Sequence, residues 1–169
     1  MPNWFNSDGL YVKFGPGEVT PAVAGAFGEG SNVGNLNILE IRLAALTTLT
    51  ASDVIIQESV FLPKNIRIEK VEIVSDTAAT SGGVATLSVG LVRTDRVTAV
   101  AANGVLNAVP LADLNVLGAI KTYSVGVAGV GSLVGAATVG ANPAYLTARF
   151  TTAAYTAGAV TVRIFYKNP

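Results

Sequence analysis

The sequence predicts an all-β fold: an antiparallel β-sandwich with an irregular N-terminal arm. Three observations carry that expectation. Apolar residues alternate with polar ones in several runs, at the period of two that strands follow. Gly-rich turn signals recur between those runs, the spacing of a sandwich or barrel. No heptad pattern and no tandem repeat of fixed period competes. The length, 169 residues, points to one domain, large enough to bury a core without covalent staples. The organisation expected is an arm over residues 1–35 and a single β-domain over 36–169.

In the arm, a short strand is expected over residues 10–14. The turn signal Asn6-Ser7-Asp8-Gly9 opens it and Gly15-Pro16-Gly17 ends it. Residues 20–34, rich in Gly and Ala, read as an extended arm or loop. A strand is expected over 36–46, with Leu39, Ile41, Leu43 and Ala45 on one face and Glu40 and Arg42 on the other. A short helix could use the same apolar residues, but the threonines at 47, 48 and 50 favour extension. Residues 54–57 suggest another short strand.

The clearest segment runs over 62–75. Ile66 and Ile68 alternate with Arg67 and Glu69, whereas Val71 and Ile73 flank Glu72, so the apolar parity switches at Glu69-Lys70. One inserted residue flips the facing of a strand, so a β-bulge is expected there. Thr80-Ser81-Gly82-Gly83 reads as a turn. Ala85, Leu87, Val89 and Leu91 then form an inward face, with Thr86 and Ser88 outside, and the two runs resemble a hairpin. Residues 97–144 contain only Asp113 and Lys121 as charges and give no firm element. Alternation returns over 145–151, with Leu146, Ala148 and Phe150 on one side. Ala157-Gly158 reads as a turn before a closing strand whose inner face is Val160, Val162, Ile164 and Tyr166.

Composition narrows the chemistry. The chain has no histidine and no cysteine, and 13% of its residues are charged. The usual proton shuttle, the main ligands of zinc, copper and iron, and the strongest common nucleophile are therefore all missing. No enzymatic activity and no cofactor is expected. Eleven basic and eleven acidic residues cancel, so no basic footprint for nucleic acid is present. The N-terminus lacks the basic and apolar regions of a secretory signal. The charge-free stretch between Lys121 and Arg149 is interrupted by glycines and Pro143, which argues against a membrane span. Half the residues are hydrophobic. A neutral chain this apolar tends to associate, so a place in an assembly is the expectation.

The remaining motifs carry little chemistry. Gly28-Glu-Gly30-Ser-Asn-Val-Gly34 and Gly129-Val-Gly131-Ser-Leu-Val-Gly135 lack the spacing of phosphate-binding loops and read instead as flexible turns and close backbone packing. Glu69 and Glu72 lie beside Arg67 and Lys70 and read as a solvated strand face. Arg93-Thr-Asp95-Arg96 reads as a salt-bridged turn. The most suggestive residues are Trp4, Phe5, Tyr11 and Phe14, aromatic anchors of the kind interfaces use, in a segment too short to fold alone. They serve either a partner or the domain's own core.

Three stretches together resemble a known family. Asn3-Trp4-Phe5-Asn6-Ser7-Asp8-Gly9-Leu10-Tyr11-Val12-Lys13-Phe14-Gly15 is similar to the opening of small virion proteins of tailed bacteriophages. Residues 62–74 and 86–91 resemble their central hairpin, and residues 156–166 their closing strand. The elements matched are structural, and residues 97–144 match nothing. The resemblance implies a capsid decoration, or cement, protein with a jelly-roll-like sandwich, a homotrimer seated on the outer surface of the phage head against the major capsid protein. It implies assembly in the host cytoplasm, with no nucleic-acid or membrane partner. Trp4, Phe5, Leu10, Tyr11 and Phe14 become the expected capsid or subunit contacts, and low-charge faces from 97–144 the expected contacts between copies. The alternative is a head-fibre, tail-fibre or receptor-binding module, but no repeat or shaft is present. A carboxylate-based hydrolase or lyase would need two buried acids facing a cleft. An outer-membrane barrel would need aromatic girdles.

Overall fold

The computed structural model describes residues 4–5, 11–12, 36–136, 140 and 142–167. The chain divides into two units, Met1–Asn32 and Val33–Pro169. In the first, β1 (Trp4–Phe5) runs antiparallel to β2 (Tyr11–Val12), with Trp4 opposite Val12 and Phe5 opposite Tyr11. The strand expected over 10–14 is thus present at its centre. Leu10, Phe14, the 6–9 turn and the segment 20–34 lie outside the described residues.

The second unit is an all-β sandwich of two antiparallel sheets. Its strands are β3 (Asn37–Leu43), β4 (Val54–Ile55), β5 (Phe61–Leu62), β6 (Arg67–Ser81), β7 (Thr86–Arg93), β8 (Ala99–Pro110), β9 (Ile120–Tyr123), β10 (Ala144–Thr151) and β11 (Tyr155–Lys167). One sheet has the order β3-β11-β6-β9, and the other β4-β10-β7-β8, with β5 also on β10. The only helical pieces among the described residues are single 3-10 turns at Leu46–Thr48 and Leu111–Asp113. The first of these replaces the end of the expected 36–46 strand, which stops at Leu43.

Alternation built the core as expected. Ala85, Leu87, Val89 and Leu91 are buried on one sheet and face Ile41, Leu43, Val71, Ile73, Val160, Val162 and Ile164 on the other. The bulge expected at Glu69-Lys70 is present. Phe165 pairs with Lys70 and Tyr166 with Ile68, so Glu69 is the extra residue. Ile66 and Ile68 before it, and Val71 and Ile73 after it, are all buried, which is what the parity switch required.

Four expectations are corrected. The β6 and β7 runs do not form a hairpin: β6 pairs with β11 and β9, whereas β7 pairs with β10 and β8. The link at 82–85 crosses from one sheet to the other, because both strands must turn the same apolar face to one core. The strand expected over 62–75 is two strands, and the second runs on to Ser81. Ala157-Gly158 is not a turn but lies within β11. The reversal between β10 and β11 falls instead near Thr152, whose φ is 77°. Ser88 is buried rather than outside, because β8 covers that face; its hydroxyl accepts the Ala108 N–H at 3.1 Å.

Candidate interaction surface

Most charged side chains on the sandwich are engaged in ion pairs with one another, whereas Ser75 Oγ and Tyr155 OH are buried without a hydrogen-bond partner among the described residues. On the outer face of the β3-β11-β6-β9 sheet, Arg163 bonds Glu40 at 2.7 Å, and Arg42 lies 3.3 Å from Asp76, which also accepts the Thr161 hydroxyl at 2.7 Å. Glu40 holds the Arg163 guanidinium even more firmly protonated than usual. Lys70 bonds Glu72 at 2.7 Å and sits 4.2 Å above the Phe165 ring. Arg67 lies 3.3 Å from Glu69. The Glu69–Glu72 pair is therefore part of an ion-paired strand face, as its basic neighbours suggested, but a less solvated one than expected, with the Glu69 and Glu72 side chains 29% and 16% exposed.

Two other clusters are similarly closed. Tyr123 donates to Asp113 at 2.9 Å, and Lys121 lies 3.2 Å from the same carboxylate. Burial, then the Asp113 bond and charge, raise the Tyr123 phenol well above its ordinary range. At the 93–98 turn, one Asp95 oxygen accepts the N–H groups of Val97 and Thr98, and the other accepts the Thr98 hydroxyl at 2.6 Å. The Thr98 hydroxyl bond is the main cause, and the two N–H bonds the next, of an Asp95 pKa lowered to about 2. Arg96 bonds Glu58 at 2.8 Å. The cluster is a turn, as its sequence suggested, but Asp95 is held by Val97 and Thr98 rather than by an arginine of the cluster, and the ion pair runs from Arg96 to Glu58. Among the described residues, no group of three or more acidic side chains is placed to hold a metal ion.

The second glycine cluster has a structural use. Residues 129–134 run beside the free edge of β8. Gly129 accepts the Asn107 N–H at 2.8 Å, the Gly131 N–H donates to Val105 at 3.0 Å, and the Leu133 N–H donates to Gly104 at 2.8 Å. Gly135 then donates to Ile68 of the opposite sheet at 2.7 Å, so this strap ties the two sheets together. A Cβ on Gly131 would strike the Gly104 backbone, which is the close packing its sequence allowed for.

Exposed apolar side chains are the other feature of the surface. Of the large apolar residues left exposed among the described residues, Val97, Val116, Leu117, Ile120, Val125 and Val127 come from the charge-poor stretch after residue 96. Leu36, Ile38, Val54, Phe61 and Val84 supply the others. A shallow groove of about 250 Å³ lies beside β3 and β4, lined by Leu43, Ala45, Thr48, Leu49, Val54 and Ile56 among others. Of the residues expected as contacts, Trp4 and Phe5 lie on β1 and Tyr11 on β2, so the backbone brings these three into one two-stranded ribbon. Leu10 and Phe14 lie outside the described residues. The exposed pair Leu117 and Ile120 does not stand out in the sequence, because β9 is four residues long and lacks a clear alternating run.

The class that fold and surface define is an all-β sandwich with exposed apolar side chains beside its ion-paired faces. No family model matches the chain, and no curated protein is similar to it. Two solved structures share its fold. A chain of the cyanophage Pam1 capsid asymmetric unit superposes with a TM-score of 0.54 at 20% identity, covering 80% of this chain and 86% of that one. A chain of the Ralstonia phage GP4 capsid superposes with a TM-score of 0.56 at 13% identity, covering 81% and 86%. Both neighbours are phage capsid structures; at these identities the fold is what they share with this chain.

Proposed function

We propose that this protein is a structural component of a tailed-phage virion, a decoration or cement protein bound to the outer surface of the head. The observation that carries the reading is the sandwich shared over about four-fifths of the chain with chains from two phage capsids. Other observations support it. Strand order β3-β11-β6-β9 against β4-β10-β7-β8, with most connections crossing between sheets, supports a jelly-roll reading. The side-chain clusters are closed ion pairs and turn caps, which suit a non-enzymatic, mechanical role. The exposed apolar residues suit a molecule whose surface is covered in an assembly.

In this reading residues 1–35 are an arm, and Trp4, Phe5, Leu10, Tyr11 and Phe14 anchor it on the major capsid protein or on a neighbouring copy. The sandwich, residues 36–169, packs as a homotrimer through its low-charge faces. Many identical weak contacts then add by multivalency, stiffening the shell against the pressure of packaged DNA. Assembly takes place in the host cytoplasm, with no nucleic acid or membrane as partner.

The test is cosedimentation of the purified protein with undecorated heads of its own phage, followed by imaging of the shell. Saturable binding with added density outside the shell is expected. Trp4→Ala should weaken head binding about tenfold or more, the cost of truncating one buried aromatic anchor, while the far-ultraviolet spectrum stays unchanged. Normal binding by that variant would remove the arm from the mechanism. Failure of the unaltered protein to bind heads would remove the decoration role.

A further inference from the structure

The edges of the two sheets are not alike, and two of them are protected. The β8 edge is occupied by the 129–134 strap. The β4 and β5 edge is broken into two strands of two residues, with Pro63 following the second. The remaining edges, β3 and β9, belong to the same sheet, and among the described residues each pairs with one strand, β11 and β6 respectively. Each also carries exposed apolar side chains beside it. Leu36 and Ile38 are 47% and 57% exposed at the start of β3, and Ile120 and Leu117 are 58% and 70% exposed at the start of β9.

Direction and hydrogen-bond phase match as well. β3 is antiparallel to β11, β11 to β6, and β6 to β9, so the two edges of this sheet run antiparallel. Turning one copy about an axis along the strands brings its β3 beside the first copy's β9 in antiparallel sense. Gly118, at φ 75°, donates to Ser75 at 2.8 Å, and Ser75 donates to Ala119 at 3.0 Å. Alternation carried from this bulge along the ladders points the N–H and C=O of Ile120 away from β6, and those of Ile38 away from β11. Ile38 and Ile120 both have their side chains on the outer face. Placed opposite each other they form a hydrogen-bonded pair with their apolar side chains in contact, and Lys121 then faces Asn37 and Gly118 faces Glu40. No like charges meet. Glu40, Arg42 and Lys121 are already paired with Arg163, Asp76 and Asp113.

We propose that β9 of one copy pairs with β3 of the next, joining copies of this chain into one continuous antiparallel sheet. The contact is heterologous, so it closes into a ring when the rotation allows. It rests on the homotrimer part of the function proposed above and supplies its interface, but it concerns only contacts between copies.

The experiment is light scattering of the full chain on a sizing column, with Ile38→Lys and Ile120→Lys beside the unaltered protein. The unaltered protein should run as a closed oligomer and each variant as a single chain. Mixed in equal amounts, the two variants should form a two-chain species, because Ile120→Lys retains an intact β3 and Ile38→Lys an intact β9. An unaltered protein that is a single chain at every concentration overturns the proposal. So does an Ile38→Lys variant that assembles normally, or a mixture that stays monomeric. Hydrogen exchange of the unaltered protein covers the case of a variant that fails to fold. The Ile38 and Ile120 amides should slow by tenfold or more from dilute to concentrated protein, and unchanged rates at both would overturn the pairing. Head binding by a monomeric protein would sink this inference and leave the decoration role standing. Oligomers that pair through these edges without binding heads would do the reverse.

Discussion

At the scale of single residues, two positions have effects that the structure makes quantitative. Gly158 sits inside β11 at φ 129°, and a Cβ there would come within 2.8 Å of the Ala79 Cα and 2.9 Å of the Leu46 side chain. Gly158→Val should therefore cost roughly 2–4 kcal/mol, from backbone strain together with overpacking, read as a lower urea midpoint. Asp95 has its carboxyl pKa lowered from 3.8 to about 2 by the Thr98 hydroxyl and the two backbone N–H groups. A lowered folded-state pKa adds stability above the unfolded value, and that stability is lost as pH falls through the folded one. Unfolding midpoints should thus decline between about pH 4 and pH 2, and Asp95→Asn should flatten that part of the curve. The residue types at both positions are plain in the sequence. What Gly158 approaches is not, because Ala79 and Leu46 come from distant parts of the chain.

At the scale of elements, the strap shows how a glycine run becomes a fastening. Gly131 can lie on the Gly104 backbone only without a side chain. Gly131→Ala should lift the strap off β8 and cost about 1–3 kcal/mol. The check is hydrogen exchange: the Asn107, Gly131 and Leu133 amides should lose protection together, while amides of β6 and β11 keep theirs. The long strands were legible in the sequence because burial on one face writes a period of two directly into the chain. The Glu69 bulge was legible for the same reason. A strand that keeps one face buried on both sides of a parity switch between Ile68 and Val71 must carry an extra residue there. β8 and β9 were not legible. β8 is bulged where Ala101 and Ala102 cover Gly90, and its alternation is lost there. β9 is too short to show a period.

At the scale of the whole molecule, the core also sets the alkaline limit of stability. Burial raises the Tyr155 phenol well above its ordinary value of 10.0, and burial with Asp113 does the same to Tyr123. Phenols that stay neutral when folded but ionise near pH 10 when unfolded stabilise the fold below that pH and lose the effect above it. A spectrophotometric titration should therefore show these two tyrosines ionising only as the sandwich unfolds. If all five tyrosines of the chain titrate together before unfolding, these burial assignments are wrong. The candidate surface was legible in part at this scale. The aromatic ribbon of Trp4, Phe5 and Tyr11 stood out because its composition is unusual for so short a segment. The β3 and β9 edges did not stand out, since an edge is defined by what fails to pair with it.

The sequence by itself determined the strand faces, the bulge and the absence of histidine and cysteine chemistry. Those properties depend on residue identity and on the local steric period of the chain. The tertiary structure alone decided which strands pair. The glycines at 82 and 83 serve a crossing between sheets as readily as a hairpin, and only packing both strands against one core selects the crossing. Likewise Gly158 and Gly131 read as turns or flexible links until distant backbone is brought against them, and that approach is a property of the assembled sandwich.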